Sequence, residues 1–155
     1  MDPYDKEKTR EIWKRVLGEE ESCDCRGFDS ELLREMIGRE KTAVCLYRAL
    51  ARCASGETKA QLLRFAEQTL CGVKKLEAVC YLWTGERSCV MSSELPRFCG
   101  LVEGLRLLYG CETEEAARLR RTAAELPDYG EVFEEVARES EGRAGGLMRM
   151  LRRAM

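Results

Sequence analysis

Apolar residues recur along this chain at intervals of three and four, the period of a helix, in five stretches separated by glycine, proline or runs of charge. The first, from about Pro3 to Leu17, puts Ile12, Trp13, Val16 and Leu17 on one face and stops at Gly18, which predicts a short N-terminal helix. A polar stretch follows, "EEESCDCRGFDS", so residues 1–29 form a leading unit and residues 30–155 the main body. In the main body the first helix is expected to start after Asp29 or Ser30, either of which can cap it, and to run to about Cys53. The second opens with Thr58-x-x-Gln61, a capping-box pattern, and reaches Trp83 with Gly85 as its stop. The third is expected from near Ser93, with Pro96 tolerated in its first turn, to just before Pro127. The fourth follows Asp128 and runs almost to the last residue. No stretch alternates with period two over a useful length, and the prediction is an all-α protein.

Each of the four long stripes breaks once, near its middle. Leu33, Met36 and Ile37 lead to Glu40 before Val44, Tyr47 and Ala51 resume. Leu62, Phe65 and Ala66 lead to Thr69 and Gly72 before Val73, Leu76, Val79 and Trp83. Leu101, Leu105 and Leu108 lead to Glu112 before Ala116, Leu119 and Ala123. Phe133, Val136 and Ala137 lead to Ser140 and Arg143 before Ala144, Leu147 and Leu151. Breaks at matching depth in four helices predict one polar layer across the centre of a four-helix bundle.

The two halves of the body echo each other in register. Glu40 pairs with Glu112, Ala66 with Ala137 and Leu76 with Leu147 at nearly the same offset, which suggests two helix-pair repeats. The link between the second and third stretches also carries information. Some ten residues between Trp83 and Glu94 reach roughly 33–36 Å when extended, nearly the length of such a helix. A crossover connection is therefore expected, leaving the second and third helices parallel.

Composition narrows the chemistry. Charge is abundant but balanced, with a net of -2, so no footprint for a nucleic acid is present. No apolar run approaches the roughly 18–20 residues of a membrane helix, and "MDPYDKEK" does not read as a signal peptide. The expected setting is the cytoplasm. The chain has 9 cysteines and no histidine. Cys23 and Cys25 form a Cys-x-Cys pair, and the other cysteines fall mostly in helical stretches as small apolar residues. Without histidine the commonest general base and transition-metal ligand is missing. The basic clusters "RLRR" and "RRAM" read as solvated helix faces.

With these residues in view, the chain resembles the ferritin-like superfamily, and within it the rubrerythrin-related four-helix bundles of bacteria. The resemblance rests on Glu40 with Tyr47 ("EKTAVCLY"), on "LLRFAEQTLCGVKKLEAVCYLWTGE", on Glu112 in "YGCETEEAARLRRTAAE" and on "VFEEVARESEGRAGGLMRML". It covers about residues 30 to 152. Members of that family hold two iron or manganese ions between one Glu from each of two helices and a Glu-x-x-His from each of the other two. The resemblance places the single glutamates at Glu40 and Glu112, one Glu-x-x-His at Thr69 and Gly72, and the other at Ser140 and Arg143. Both pairs are replaced here, so the resemblance implies a degenerate, vestigial site with no cofactor; any retained metal would fall to Glu40 and Glu112, aided by Thr69, Ser140 and water.

Two glutamates facing each other without a cation raise each other's pKa, and burial adds to the rise. Arg143 is expected to supply the missing positive charge, paired with Glu112, Glu40 or both; the alternative is an Arg143 that snorkels to solvent. Gly72, Gly142, Gly145 and Gly146 leave space near the layer for a small ligand, for Arg143 or for close helix contact. Cys45 and Cys71 lie near the layer in sequence without falling on it. Three functional readings follow. The first is a non-catalytic structural, binding or regulatory module that has lost its metal site. The second is a rubrerythrin-like oxidoreductase, oxidising iron or reducing peroxide through a rearranged carboxylate site to which Glu67 and Glu139 turn inward. The third is a thiol-based metal or redox module using Cys23 and Cys25. Partners are undefined at this level, and a homodimer would be usual for such a fold.

Overall fold

The computed structural model describes residues 30–155, which form four α-helices. The expected N-terminal helix and the Cys23–Cys25 pair lie outside the described residues. Helix α1 spans Ser30–Ala51 and α2 spans Gly56–Thr84; α3 spans Gly100–Glu125 and, after a short 3₁₀ turn at Pro127–Tyr129, α4 spans Gly130–Ala154. No strand occurs among the described residues, and none of these helices is long and apolar enough to cross a membrane.

Every interval-patterned residue of the four stripes is buried or packed against the core. That core divides into two apolar clusters, each fed by all four helices. One contains Leu33, Ile37, Leu76, Leu119, Phe133 and Val136; the other contains Val44, Tyr47, Leu62, Leu105, Leu108 and Leu147. Burying each of these large side chains contributes roughly 1.5–3 kcal/mol before entropy is charged against it. The residues that broke the stripes lie between the two clusters.

Cross-helix contacts fix the directions. Lys41 meets Glu77 and Arg48 meets Glu67, so α1 and α2 are antiparallel. Met36 meets Thr122, Arg39 meets Glu115 and Tyr47 meets Glu112, so α1 and α3 are antiparallel as well. On the far side Lys75 meets Glu135 and Gln68 meets Arg143, which sets α2 against α4. Helices α2 and α3 therefore run parallel, and residues 85–99 carry the chain from one end of the molecule to the other.

That connection differs from expectation at its downstream end. The third helix starts at Gly100, not near Ser93, and Pro96 lies outside it. The reason is reach: from Gly85 the chain must cross the whole molecule, and a helix begun at Ser93 would leave too little extended chain. It crosses over α1. Lys41 Nζ donates to the Val90 carbonyl at 2.6 Å, and the Ser93 N–H donates to Thr42 Oγ1 at 2.8 Å. Val90 sits against Gly38, and Phe98 reaches Leu50 and Gly104.

Smaller differences concern caps. Helix α2 begins at Gly56, with Ser55 at the cap position and no side-chain cap bond, so Thr58 and Gln61 are already inside it. Gly85 ends it as expected, in the left-handed region (φ 76) with its N–H on the Tyr81 carbonyl. Helix α1 ends at Ala51, and Arg52 and Cys53 form the turn beyond it. Asp128 belongs to the 3₁₀ turn and does not cap α4.

Candidate functional site

All six layer positions are buried: Glu40, Thr69, Gly72, Glu112, Ser140 and Arg143. Arg143 is the largest of the fully buried side chains, with 1 % of its surface exposed. It does not snorkel. Its guanidinium grips Glu112 with two parallel bonds, Nε to Oε1 at 3.1 Å and Nη2 to Oε2 at 3.2 Å. Nη2 also donates to Ser140 Oγ at 3.0 Å, and Nη1 donates to Gln68 Oε1 at 3.2 Å. A fork-to-fork pair of this kind combines charge with a fixed geometry.

Glu112 accepts a third bond, from the Tyr47 hydroxyl at 2.9 Å. The Tyr47 ring is held edge-on against Phe65, with centroids 5.9 Å apart. Burial and the neighbouring Glu112 push the Tyr47 phenol well above its ordinary pKa, so it stays a donor. Burial pulls the Arg143 pKa down, yet the charge and hydrogen bonds of the Glu112 carboxylate outweigh it and the guanidinium remains charged. Four helices thus meet in one network: Tyr47 from α1, Gln68 from α2, Glu112 from α3, Ser140 and Arg143 from α4.

Glu40 stands apart from that network. It is as buried as Glu112, but its Oε2 has no hydrogen-bond partner among the described residues. Burial first, and the Glu112 charge second, raise its pKa to about 8, against the opposing pull of Arg143. At neutral pH Glu40 is therefore a protonated acid. Glu115, one helical turn beyond Glu112, is also buried, and accepts from Arg39 Nε at 3.0 Å and Arg118 Nη1 at 3.2 Å. Burial raises its pKa and these two arginines lower it, with burial ahead. One of its oxygens is likewise unpartnered.

Thr69 donates its hydroxyl to the Phe65 carbonyl of its own helix at 2.8 Å and takes no part in the network. At Gly72 a Cβ would lie 3.5 Å from Val136 of α4, an ordinary contact, so there is room for a methyl group but no clash that demands glycine. At Gly146 the Phe65 ring fills the space a side chain would need, while Gly142 opens to solvent and Gly145 sits beside Arg149. Of the three uses expected for these glycines, close helix contact is met at Gly146, while Gly142 stands open and Gly145 lines a surface groove. Cys71 is exposed and Cys45 half-buried, neither joining the layer; of the described cysteines only Cys80 is buried, so most do not act as small core residues. Glu67 is exposed and pairs with Arg48; Glu139 is half-buried, pairs with Lys75 through Oε1, and has a buried Oε2 without a partner among the described residues.

The donor set does not suit two metal ions. Arg143 engages both oxygens of Glu112, the Thr69 and Ser140 hydroxyls are committed, and no group of three or more His, Cys, Asp or Glu side chains gathers in a metal-holding arrangement among the described residues. Two participants, Glu115 and Gln68, were not read from the sequence. Tyr47 was read in the stripe beside Glu40, but its bond to Glu112 was not. Glu115 follows Glu112 by one turn, which could have marked it. Gln68 gave no signal, because its backbone is on an exposed face. Compared with protein-family models, curated proteins and solved structures, the chain finds no match.

Proposed function

We propose that this chain is a ferritin-like bundle, related to the rubrerythrin-like proteins, in which an arginine has taken over the charge of a lost di-iron or di-manganese site. On this reading it is a non-catalytic structural, binding or regulatory module. The observation that carries it is the two-pronged Arg143–Glu112 pair in the central layer, at positions the resemblance assigns to metal ligands. A guanidinium needs no loading and undergoes no redox change, so the Glu112 charge is balanced as the chain folds. The parallel run of α2 and α3 and the four-helix polar layer support the same reading. Elemental analysis of untagged protein, after growth with iron, manganese and zinc, tests it. Less than about 0.1 metal per chain is expected, because two carboxylates beside a guanidinium attract a cation weakly. One or two iron or manganese ions per chain would overturn it.

A further inference from the structure

Outside the layer, the face shared by α3 and α4 carries a groove of about 540 Å³. Its floor and walls include Tyr109, Thr113 and Ala117 of α3 and Gly145 and Met148 of α4, and the Arg120–Glu141 ion pair closes one end. Small residues keep the two backbones bare there: Gly145 has only Arg149 Nη1 near it, 3.6 Å from where a Cβ would stand.

Beyond the other end of the groove the two helices carry three arginines. Arg106 lies one turn before Tyr109, and Arg149 and Arg152 follow Met148; all three are exposed. Arg106 reaches across to Met155 Sδ at 3.8 Å, which brings it beside the last turn of α4. None of the three has an ion-pair partner among the described residues. Glu103, one turn before Arg106, accepts from the Cys99 N–H, and Glu141 of the groove is paired with Arg120. Helix-end arginines complement the helix dipole, but that accounts for Arg152 alone, since Arg106 lies in the first half of α3. Like charges gathered without a counter-charge repel unless an anion joins them.

From Arg120 to Tyr109 the groove runs roughly 16 Å, about three helical turns, and Arg106 stands one turn beyond it. An open trough of that length between two antiparallel helices is shaped for a third helix laid along it. We propose that this face docks an amphipathic helix of a protein partner, with its apolar edge on the Thr113, Ala117, Gly145 and Met148 floor and carboxylates in its last turn on Arg106, Arg149 and Arg152. A compact acidic helix fits better than a long polyanion, because the chain as a whole carries a net charge of -2 and would repel the flanks of a longer one. The inference rests on the reading of the chain as a binding module. It concerns a different surface from the central layer, so metal analysis and the test below can fail independently.

The test is fluorescence anisotropy of a labelled synthetic helix, about four turns long with leucines on one edge and glutamates in its last turn, titrated with the full chain at low salt. Saturable binding is expected, weakened about tenfold by the pair Arg149→Glu and Arg152→Glu, and by physiological salt. Gly145→Leu blocks the floor without touching a charge and should weaken it as much; its unchanged helical circular dichroism shows that the fold is intact. No binding, or binding that responds to the charge reversals and ignores Gly145→Leu, overturns the proposal. So does tighter binding of anionic phospholipid vesicles or single-stranded DNA with the same sensitivities. A self-association abolished by Gly145→Leu would make a second copy the occupant and equally overturn it.

Discussion

A carboxylate with 2 % of its surface exposed survives in an apolar bundle only if something holds it, and Glu112 is held three times over, twice by Arg143 and once by Tyr47. Such a pair contributes little net stability beyond what two leucines would give, but breaking it leaves one charge stranded. Arg143→Leu is therefore expected to lower unfolding free energy in urea by about 3–5 kcal/mol, and the double variant with Glu112→Leu to recover most of it. Equal losses in single and double variants would mean that the two do not act as a pair. Glu40 makes the opposite case, an acid held neutral. Below about pH 4.5 it is protonated in folded and unfolded chains alike and stability does not depend on it. Between about pH 4.5 and 8 the unfolded chain gives up the proton while the folded chain keeps it, so stability falls as pH rises, levelling off above 8. At pH 7 the loss is on the order of 3 kcal/mol. Glu40→Gln should remove that slope and raise the urea midpoint most near pH 8; Glu115, shifted the same way, leaves a residual slope of the same sign. An unchanged pH profile in Glu40→Gln would show that Glu40 is ionised in the fold. The broken stripes made this layer legible in the sequence, because a Glu or Arg in an apolar row is visible without coordinates. What remained hidden was which glutamate takes the arginine. That depends on side-chain reach across the core, and residue order does not encode it.

Helices pack closely where glycine lets them, and four of the five internal glycines of α3 and α4 separate into two kinds. A Cβ on Gly104 would collide with Leu50 and come within 3.1 Å of Phe98, and one on Gly146 would collide with the Phe65 ring. Gly110 and Gly142 have nothing within reach. Alanine is the better helix former by roughly 1 kcal/mol. Gly110→Ala and Gly142→Ala should therefore raise the melting temperature slightly. Gly104→Ala and Gly146→Ala should lower it, by the equivalent of about 1–3 kcal/mol of overpacking less that propensity gain. Four increases would mean that Leu50 and Phe65 move aside freely. These two classes cannot be told apart in the sequence, since glycine looks the same wherever it stands. The existence of the four described helices was legible, as was the Gly85 stop, where a left-handed residue is required. The start of α3 was not. Ser93 and Pro96 have the chemistry of a helix start, and Lys41 and Thr42 of α1 instead hold this stretch as connection, through contacts from the other half of the chain.

At the scale of the whole molecule, the direction of α3 decides what the connection must do. In an up-and-down bundle, residues 85–99 would be a turn at one end and most of them would be dispensable. Here Val90 packs with the cluster containing Leu33 and Phe133, and Phe98 with the cluster containing Leu50 and Leu105, so the same stretch touches both halves of the core. Extended, it spans about 50 Å, enough for the roughly 33 Å of α1 with slack for its path around that helix. Replacing residues 86–98 with a four-residue glycine-rich turn should therefore be incompatible with a folded monomer, although no helix residue is removed. The shortened chain would still carry two complete helical hairpins, α1–α2 and α3–α4, each with a full apolar face. The expected product is a domain-swapped dimer in which the α3–α4 hairpin of one chain completes the core of another, or an unfolded chain if the hairpins cannot find each other. Size-exclusion chromatography with light scattering, read beside helical circular dichroism, distinguishes the outcomes. A helical monomer that melts like the parent would show that α2 and α3 lie antiparallel. The Arg143–Glu112 layer would then need another explanation, because its register depends on α3 running against α1 and α4 against α2.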